Sequence, residues 1–252
     1  MTTDIKLVLT DLDGTVVGHA YNIVSDANLQ AFRDVEAAGV SISAVTGRPF
    51  QMALPILRQL GLKQLSVFNG GAVVADALTG EVVWERTIGA EIASKCVTLL
   101  QPVAEIIDYG DGHIAAAEVS PAKVVANTFS IWAAIPTEQG EQLQHIIQTL
   151  PDVVAHLNQR PWGRQDVVGI QITHAEADKE HGVRALLDIL GVQSAHTLAI
   201  GDGSNDLPLF HHANVKVAMG NAEVALRTAA NHVVSTVEVD GWAEAMRKYV
   251  LK

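Results

Sequence analysis

The segment Lys6-Leu7-Val8-Leu9-Thr10-Asp11-Leu12-Asp13-Gly14-Thr15 decides the fold of this chain. Lys6 to Thr10 is nearly all apolar, the pattern of a central strand in a parallel sheet covered on both faces, and it stops where the aspartates begin. Residues two apart in a strand face the same way, and the carboxyl ends of strands in an open parallel sheet line its ligand crevice. Asp11 and Asp13 are therefore delivered to that edge, the alternation being only approximate because the backbone turns there. Taken alone, Asp-x-Asp-Gly is more often a turn than a site of chemistry, since Asp and Gly both favour turns.

After this strand, Ser25 and Asp26 are N-cap candidates for a helix running through Ala38, with Gly39 suited to its C-terminal cap. A strand from Ser41 to Val45 ends at Thr46-Gly47-Arg48. A helix from Phe50 to Leu60 stopped by Gly61, a strand from Leu65 to Phe68 and the loop Asn69-Gly70-Gly71 repeat the pattern. This βαβαβ order predicts a parallel sheet with right-handed crossovers. Near the other end, Lys179 to Leu190 is helical by period and Thr197 to Ile200 is a strand opening into Gly201-Asp202-Gly203, with further strands at Lys216 to Ala218 and His232 to Val234. The fold class is thus α/β, a doubly wound, Rossmann-like parallel sheet core built from both ends of the chain.

Between these halves the texture changes. Residues 72–84 read as a hairpin around Leu78-Thr79-Gly80, and strands at Glu105 to Asp108, His113 to Val119 and Val167 to Thr173 mix with helices at Glu91 to Leu100 and Glu138 to Leu150. The expected division is 1–84 with 179–252 as the core and 85–178 as an inserted α+β domain.

Composition narrows the function classes. A hydrophobic fraction of 48% in 252 residues is ample for one large core or two modest ones. The net charge of -11 disfavours nucleic acid and anionic membranes, which need basic surface, yet a metal ion with one lysine can reverse the local field for a small anion. The single cysteine, Cys96, rules out an internal disulfide framework, and no Cys/His cluster has zinc-site spacing, so a reducing, cytoplasmic setting is expected. Asp4, Lys6, Asp11 and Asp13 interrupt the first apolar run and argue against a secretory signal, and no segment has the apolar length of a membrane span.

Three further strand ends bring Thr46, Asn69 and Asp202 to the edge that carries Asp11 and Asp13. Thr46-Gly47-Arg48 alone is weak, and Gly201-Asp202-Gly203-Ser204-Asn205-Asp206 alone is a loop capping a helix with Ser204 as N-cap. In this order at predicted strand ends, and with Lys179 opening the late helix as the third, Asp11 with Asp13, Thr46, Lys179, and Asp202 with Asn205 and Asp206 resemble the four motifs of the haloacid dehalogenase-like superfamily. Met219-Gly220-Asn221-Ala222 with Asp240-Gly241 resembles its Cof-type branch. The likeness covers nearly the whole core and only weakly the insert.

The resemblance implies an enzyme, a phosphoric monoester hydrolase, with Asp11 as nucleophile and Asp13 as general acid and base. It implies Mg²⁺ held by Asp11, the backbone carbonyl of Asp13 and Asp202, and substrate phosphate bound by Thr46, Gly47, Lys179 and Asn205. Asp206 would orient Lys179 or a metal-bound water. Phosphoryl transfer asks for an in-line nucleophile and neutralised equatorial oxygens, which suits this set. A helix-start lysine in Asp178-Lys179-Glu180 also reads as merely solvated. Arg48 and Asn69 read equally as substrate contacts or as structure.

Only 32 residues separate Asp13 from Thr46, against 132 between Thr46 and Lys179, so the inserted domain follows the second motif. In the resembled superfamily that defines a type II cap, and its mixed elements look like the IIB form, which implies small phosphorylated sugars, polyols or phosphoglycolate as substrates. The expected partner is a small-molecule phosphate ester, with no nucleic acid or membrane, in a monomer or homodimer. A phosphomutase on the same scaffold and a phospho-aspartate receiver domain are the rival readings; a dehalogenase has no use for the acid Asp13. The adjacent His211 and His212 should diverge on a helix and not share a metal. Trp132, Trp162, Arg160 and Arg164 of the insert read as packing or surface residues before substrate contacts.

Overall fold

A computed structural model of the chain describes residues 4–18, 22–109, 114–121, 128–158 and 164–251. In chain order the elements begin with β1 (Leu7–Thr10), α1 (Asp26–Ala37), β2 (Ser41–Ala44), α2 (Phe50–Leu60), β3 (Leu65–Phe68), β4 (Val73–Asp76) and β5 (Val82–Glu85). Next come α3 (Ala90–Leu100), β6 (Ile106–Asp108), β7 (Ile114–Ala115), β8 (Ser130–Pro136), α4 (Gly140–Ile147), β9 (Val153–Asn158) and β10 (Val167–His174). The chain closes with α5 (Lys179–Leu190), β11 (Thr197–Gly201), α6 (Leu207–His211), β12 (Val215–Ala218), α7 (Val224–Ala229), β13 (His232–Val233) and α8 (Gly241–Tyr249). Its contacts divide into two compact units, Met1–Trp84 with Lys179–Lys252, and Glu85–Asp178.

The first unit is built on a parallel sheet in the order β13-β12-β11-β1-β2. Val45 bridges to Val67 in parallel and carries the sheet on to β3, after which β4 runs antiparallel. Helix α1 packs with α2 and α8, and α6 packs with α5 and α7; β1 and β11 are buried along their whole length, as strands covered on both faces must be. Local sequence sets the ends. Ser25 Oγ accepts from the Asn28 N–H to start α1, and the left-handed Gly39 lets the Gly39 and Val40 N–H groups close on the Glu36 and Val35 carbonyls. Register then places the site: Thr10 lies level with Ile200 on one side and Ala44 on the other, so the residues that follow all three leave at one edge.

The second unit is an antiparallel sheet in the order β7-β6-β8-β10-β9. Ile107, Ile131, Ala133, Ile135, Ile170 and Ile172 share its core with Cys96 and Val97 of α3 and Leu143 and Ile147 of α4. Two expectations need correction. The strand expected over His113 to Val119 is only β7, because a 3-10 turn at Ala116–Glu118 takes over once the Ala116 N–H bonds the Glu105 carbonyl; His113 lies outside the described residues. The helix expected from Glu138 to Leu150 is the shorter α4, flanked by a 3-10 turn at Thr137–Gln139 and by tightened bonds from Thr149 and Leu150 back to Ile146 and Ile147. Among the described residues no helix is long and apolar enough to cross a membrane.

Candidate active site

Asp11 extends β1 by one residue, its N–H donating to the Ile200 carbonyl at 3.0 Å. The turn into it is held from behind by α8. Trp242 Nε1 donates to Thr10 Oγ1 at 3.0 Å, and that hydroxyl donates to the Asp11 carbonyl at 2.7 Å. Lys179, the first residue of α5, donates from Nζ to Asp11 Oδ1 at 2.8 Å and to Asp206 Oδ1 at 2.6 Å. It is buried and not a solvated helix-start lysine. Helix α5 reaches this depth because Gly182 has no side chain: a Cβ there would lie 2.7 Å from both the Gly71 carbonyl and Val67 Cγ1.

Asp206 is fully engaged. Its Oδ2 accepts from the Asp202 and Gly203 N–H groups at 3.0 and 3.1 Å, and a side chain at Gly201 would overlap its carboxylate. The glycine before Asp202 thus makes room for Asp206, which itself ties the loop together. Ser204, expected as a cap, opens a 3-10 turn instead, and Asp206 precedes α6. Asn205 is exposed and folds back over Gly203, where any Cβ would meet its Oδ1.

Burial drives the Asp11 carboxyl upward and Asp206 adds to this, while the Lys179 ammonium pulls the other way; the outcome is a rise to about 8. Burial likewise opposes the charge on Lys179, but the carboxylates of Asp11 and Asp206 outweigh it and hold the ammonium above the usual lysine range. The cluster has room for more positive charge. Carboxylate oxygens of Asp11, Asp202 and Asp206 lie within 4.8 Å of one another, a donor set made only of oxygen that suits a hard divalent cation. Asp206 serves Lys179 and two N–H groups, so Asp11 and Asp202 are the carboxylates better placed to turn an oxygen toward such an ion. Asp202 is positioned by Asn221, whose Nδ2 reaches its Oδ2 at 3.3 Å and the Gly14 carbonyl at 2.8 Å, while Asn221 Oδ1 accepts from the Val237 N–H at 2.9 Å. Thr15 Oγ1 approaches Asp202 Oδ1 at 3.5 Å.

Asp13 belongs to a tight loop in which the Gly14 N–H donates to the Val17 carbonyl at 2.7 Å and the Val16 and Val17 N–H groups return to Leu12. Its carboxylate is outside the oxygen cluster and is gripped by Arg48 at both oxygens, with Nε to Oδ2 at 2.7 Å. Thr46 is buried beyond β2; its N–H donates to the Val67 carbonyl at 2.9 Å and its Oγ1 accepts from the Arg48 N–H at 3.1 Å, leaving the hydroxyl hydrogen to donate elsewhere. Gly47 is exposed beside it, with open space where a Cβ would stand. Asn69, in the left-handed region, donates its N–H to the Arg48 carbonyl at 3.0 Å.

The structure therefore brings Asp11, Lys179, Asp202 and Asp206 into one cluster, with Asp13 and Thr46 on the adjoining loops. Local sequence gives Thr15 and Trp242 no role and leaves that of Arg48 open, while Asn221 carries one signal, its place in Met219-Gly220-Asn221-Ala222. His211 and His212 do not diverge as expected. Both reach Glu180, at 2.9 and 2.6 Å, because His212 is already off the helical backbone at φ -103°. Burial resists the charge on Glu180, but the two imidazoles bring its carboxyl below the usual range. Arg164 pairs with Glu105 and Asp166, Trp132 lies against Gly169, and Arg160 and Trp162 fall outside the described residues.

Comparison with known proteins bears on this geometry. The sequence profile of the haloacid dehalogenase-like hydrolases matches residues 8–118 and 113–246, so the chain belongs to that family and is an enzyme. A 5-amino-6-(5-phospho-D-ribitylamino)uracil phosphatase of Bacillus subtilis (strain 168) is 26% identical over 99% of both chains. A phosphoglycolate phosphatase of Methanothermobacter thermautotrophicus is 25% identical over 97% of this chain and 99% of its own. A solved subclass IIB sugar phosphatase of the superfamily superposes with a TM-score of 0.76 over 98% of this chain and all of its own, at 20% identity, which speaks to the fold.

Proposed function

We propose that this family member is a Mg²⁺-dependent phosphatase that hydrolyses small phosphorylated metabolites, sugar phosphates or phosphoglycolate-like esters, through a phospho-Asp11 intermediate. The observation that carries the reading is the buried Lys179 between Asp11 and Asp206, at the strand edge where Asp202 and Thr46 also arrive. Relatives named for phosphate-ester hydrolysis support the substrate class. Residues 85–178 would serve as the cap that supplies specificity.

Asp11, Asp202 and the Asp13 backbone carbonyl would hold the cation, which supplies charge neutralisation on the phosphoryl group and on the nucleophile. In the first half-reaction an Asp11 carboxylate oxygen attacks phosphorus, the bond from phosphorus to the ester oxygen breaks, and Asp13 gives its proton to the departing alcohol. In the second, water attacks phosphorus, loses a proton to Asp13 and displaces Asp11, releasing inorganic phosphate. Lys179, Thr46, Gly47 and Asn205 bind phosphoryl oxygens, and Asp206 keeps Lys179 aimed.

A screen of phosphorylated metabolites with and without Mg²⁺, read as released phosphate, tests the reading. Asp11→Asn should abolish turnover while the protein stays folded, and an acid-quenched reaction should contain phosphoenzyme only when Asp11 is present. Isomer formation from a hexose 1-phosphate, stimulated by the bisphosphate, would instead identify a mutase. Asp13→Ala should lose about 10²-fold in kcat on alkyl phosphates and far less on p-nitrophenyl phosphate, whose leaving group needs little protonation.

A further inference from the structure

Arg48 directs its whole guanidinium at fixed partners. Nε and Nη2 donate to the two oxygens of Asp13, while Nη1 donates to Asn22 Oδ1 at 2.7 Å and to the Met52 carbonyl at 3.3 Å. Its backbone is pinned as well, N–H to Thr46 Oγ1 and carbonyl to the Asn69 N–H. Four of the five N–H bonds a guanidinium owns are thereby committed, too many for Arg48 to grip a phosphate with a two-pronged contact. Its side chain is 17% exposed, less than the 31% of the Asp13 it holds, so the arginine is the fixed member of the pair. A planar fork bound to both oxygens of a carboxylate sets that carboxylate's plane and rotamer, which a single contact leaves free.

We propose that Arg48 is a positioning residue for Asp13, fixing the carboxylate so that the oxygen exchanging the proton faces the scissile ester oxygen in both half-reactions. Arg48 itself neither gains nor loses a proton. The proton moves from Asp13 to the leaving alcohol, and then from water to Asp13. The inference rests on the acid and base reading of Asp13 given above. It also explains why the loop 46–48 and the loop at Asp13, 35 residues apart in sequence, meet at this one contact.

The test measures kcat and KM for a sugar phosphate and for p-nitrophenyl phosphate in the wild type, D13A, R48Q and R48K. Misaimed proton transfer should lower kcat for the sugar phosphate roughly tenfold to a hundredfold in R48Q, with a much smaller loss on p-nitrophenyl phosphate and KM values within about twofold. R48K keeps the charge without the fork and should not rescue; it also serves should R48Q fold poorly. Equal losses on both substrates, a raised KM with kcat preserved, or full activity in R48K would overturn the proposal. If D13A still shows its leaving-group selectivity, the acid and base reading survives that result. Equal losses in D13A would remove the reading and the inference together.

Discussion

Two clusters in this molecule share a composition, one cation between two carboxylates, and differ in their surroundings. In the first unit Lys179 lies between Asp11 and Asp206, with side chains 3%, 9% and 1% exposed. In the second, Arg164 lies between Glu105 and Asp166, with side chains 40%, 47% and 68% exposed, and it meets Glu105 through two parallel bonds of 2.8 and 2.9 Å. By geometry alone the second is the better ion pair. Water screens it, so it adds little, whereas burying the Lys179 ammonium with two carboxyl groups is costly and stands only because each is hydrogen-bonded. Desolvation, and not the number or the ideality of ion pairs, is what suits a cluster of this kind to chemistry.

Removing the cation separates the two most strongly. Lys179→Met leaves two buried carboxylates facing each other and should cost about 3 kcal/mol of stability, together with roughly 10²–10³ in kcat. Denaturant titration and steady-state kinetics check both losses; a stable, active variant would show that burial does not set the two clusters apart. Metal affinity is next in size. Asn221→Ala removes one of the contacts that position Asp202 and should weaken Mg²⁺ binding by about tenfold, read by calorimetry and by the Mg²⁺ dependence of activity.

The carboxylates should respond to pH with opposite signs. Asp11, raised to about 8, binds a proton in the folded chain that the unfolded chain has released, so metal-free stability should fall as the pH climbs from about 5 to 8. Lys179, raised above its ordinary value, stays charged throughout that window and leaves the slope unchanged. Asp11→Asn should flatten the slope and raise the metal-free melting temperature by about 2–4 °C, a gain in stability that comes with loss of the proposed nucleophile. Asp166 is lowered chiefly by its hydrogen bond from Arg164, so what little the exposed cluster contributes is lost toward acid. The smallest effect belongs to Arg164→Ala, which should leave melting and turnover unchanged within measurement error. A clear destabilisation there would show that exposure had been overrated as the deciding variable.

Legibility in the sequence follows the same division. In the first unit α2, β3 and α5 have the bounds that glycine stops and apolar runs predict, because each signal is local and strong. In the second unit β8 reads Ser-Ile-Trp-Ala-Ala-Ile-Pro, whose alanines blur the alternation, and its place at the middle of the sheet comes only from pairing with β6 and β10. Helix α4 is trimmed for a related reason: capping bonds, invisible to periodicity, close it early. At the site, Asp11, Thr46 and Asp202 are legible as polar residues ending apolar strands. The grip of Arg48 on Asp13, and of two histidines on Glu180, joins residues about thirty apart or more, which no local pattern encodes.

Apolar strands that end in aspartates and a threonine, a lysine that opens a late helix, and an order of these residues that suits phosphoryl transfer are local features of the chain. The burial of Lys179, the engagement of Asp206 with Lys179 and its own loop, and that of Asp13 with Arg48 arise from the packed fold. The physical reason is range. Apolar period and capping act within a few residues and are written along the chain, whereas desolvation and hydrogen-bond partnership depend on which segments the sheet register brings side by side, and that is set by the packing of the whole unit.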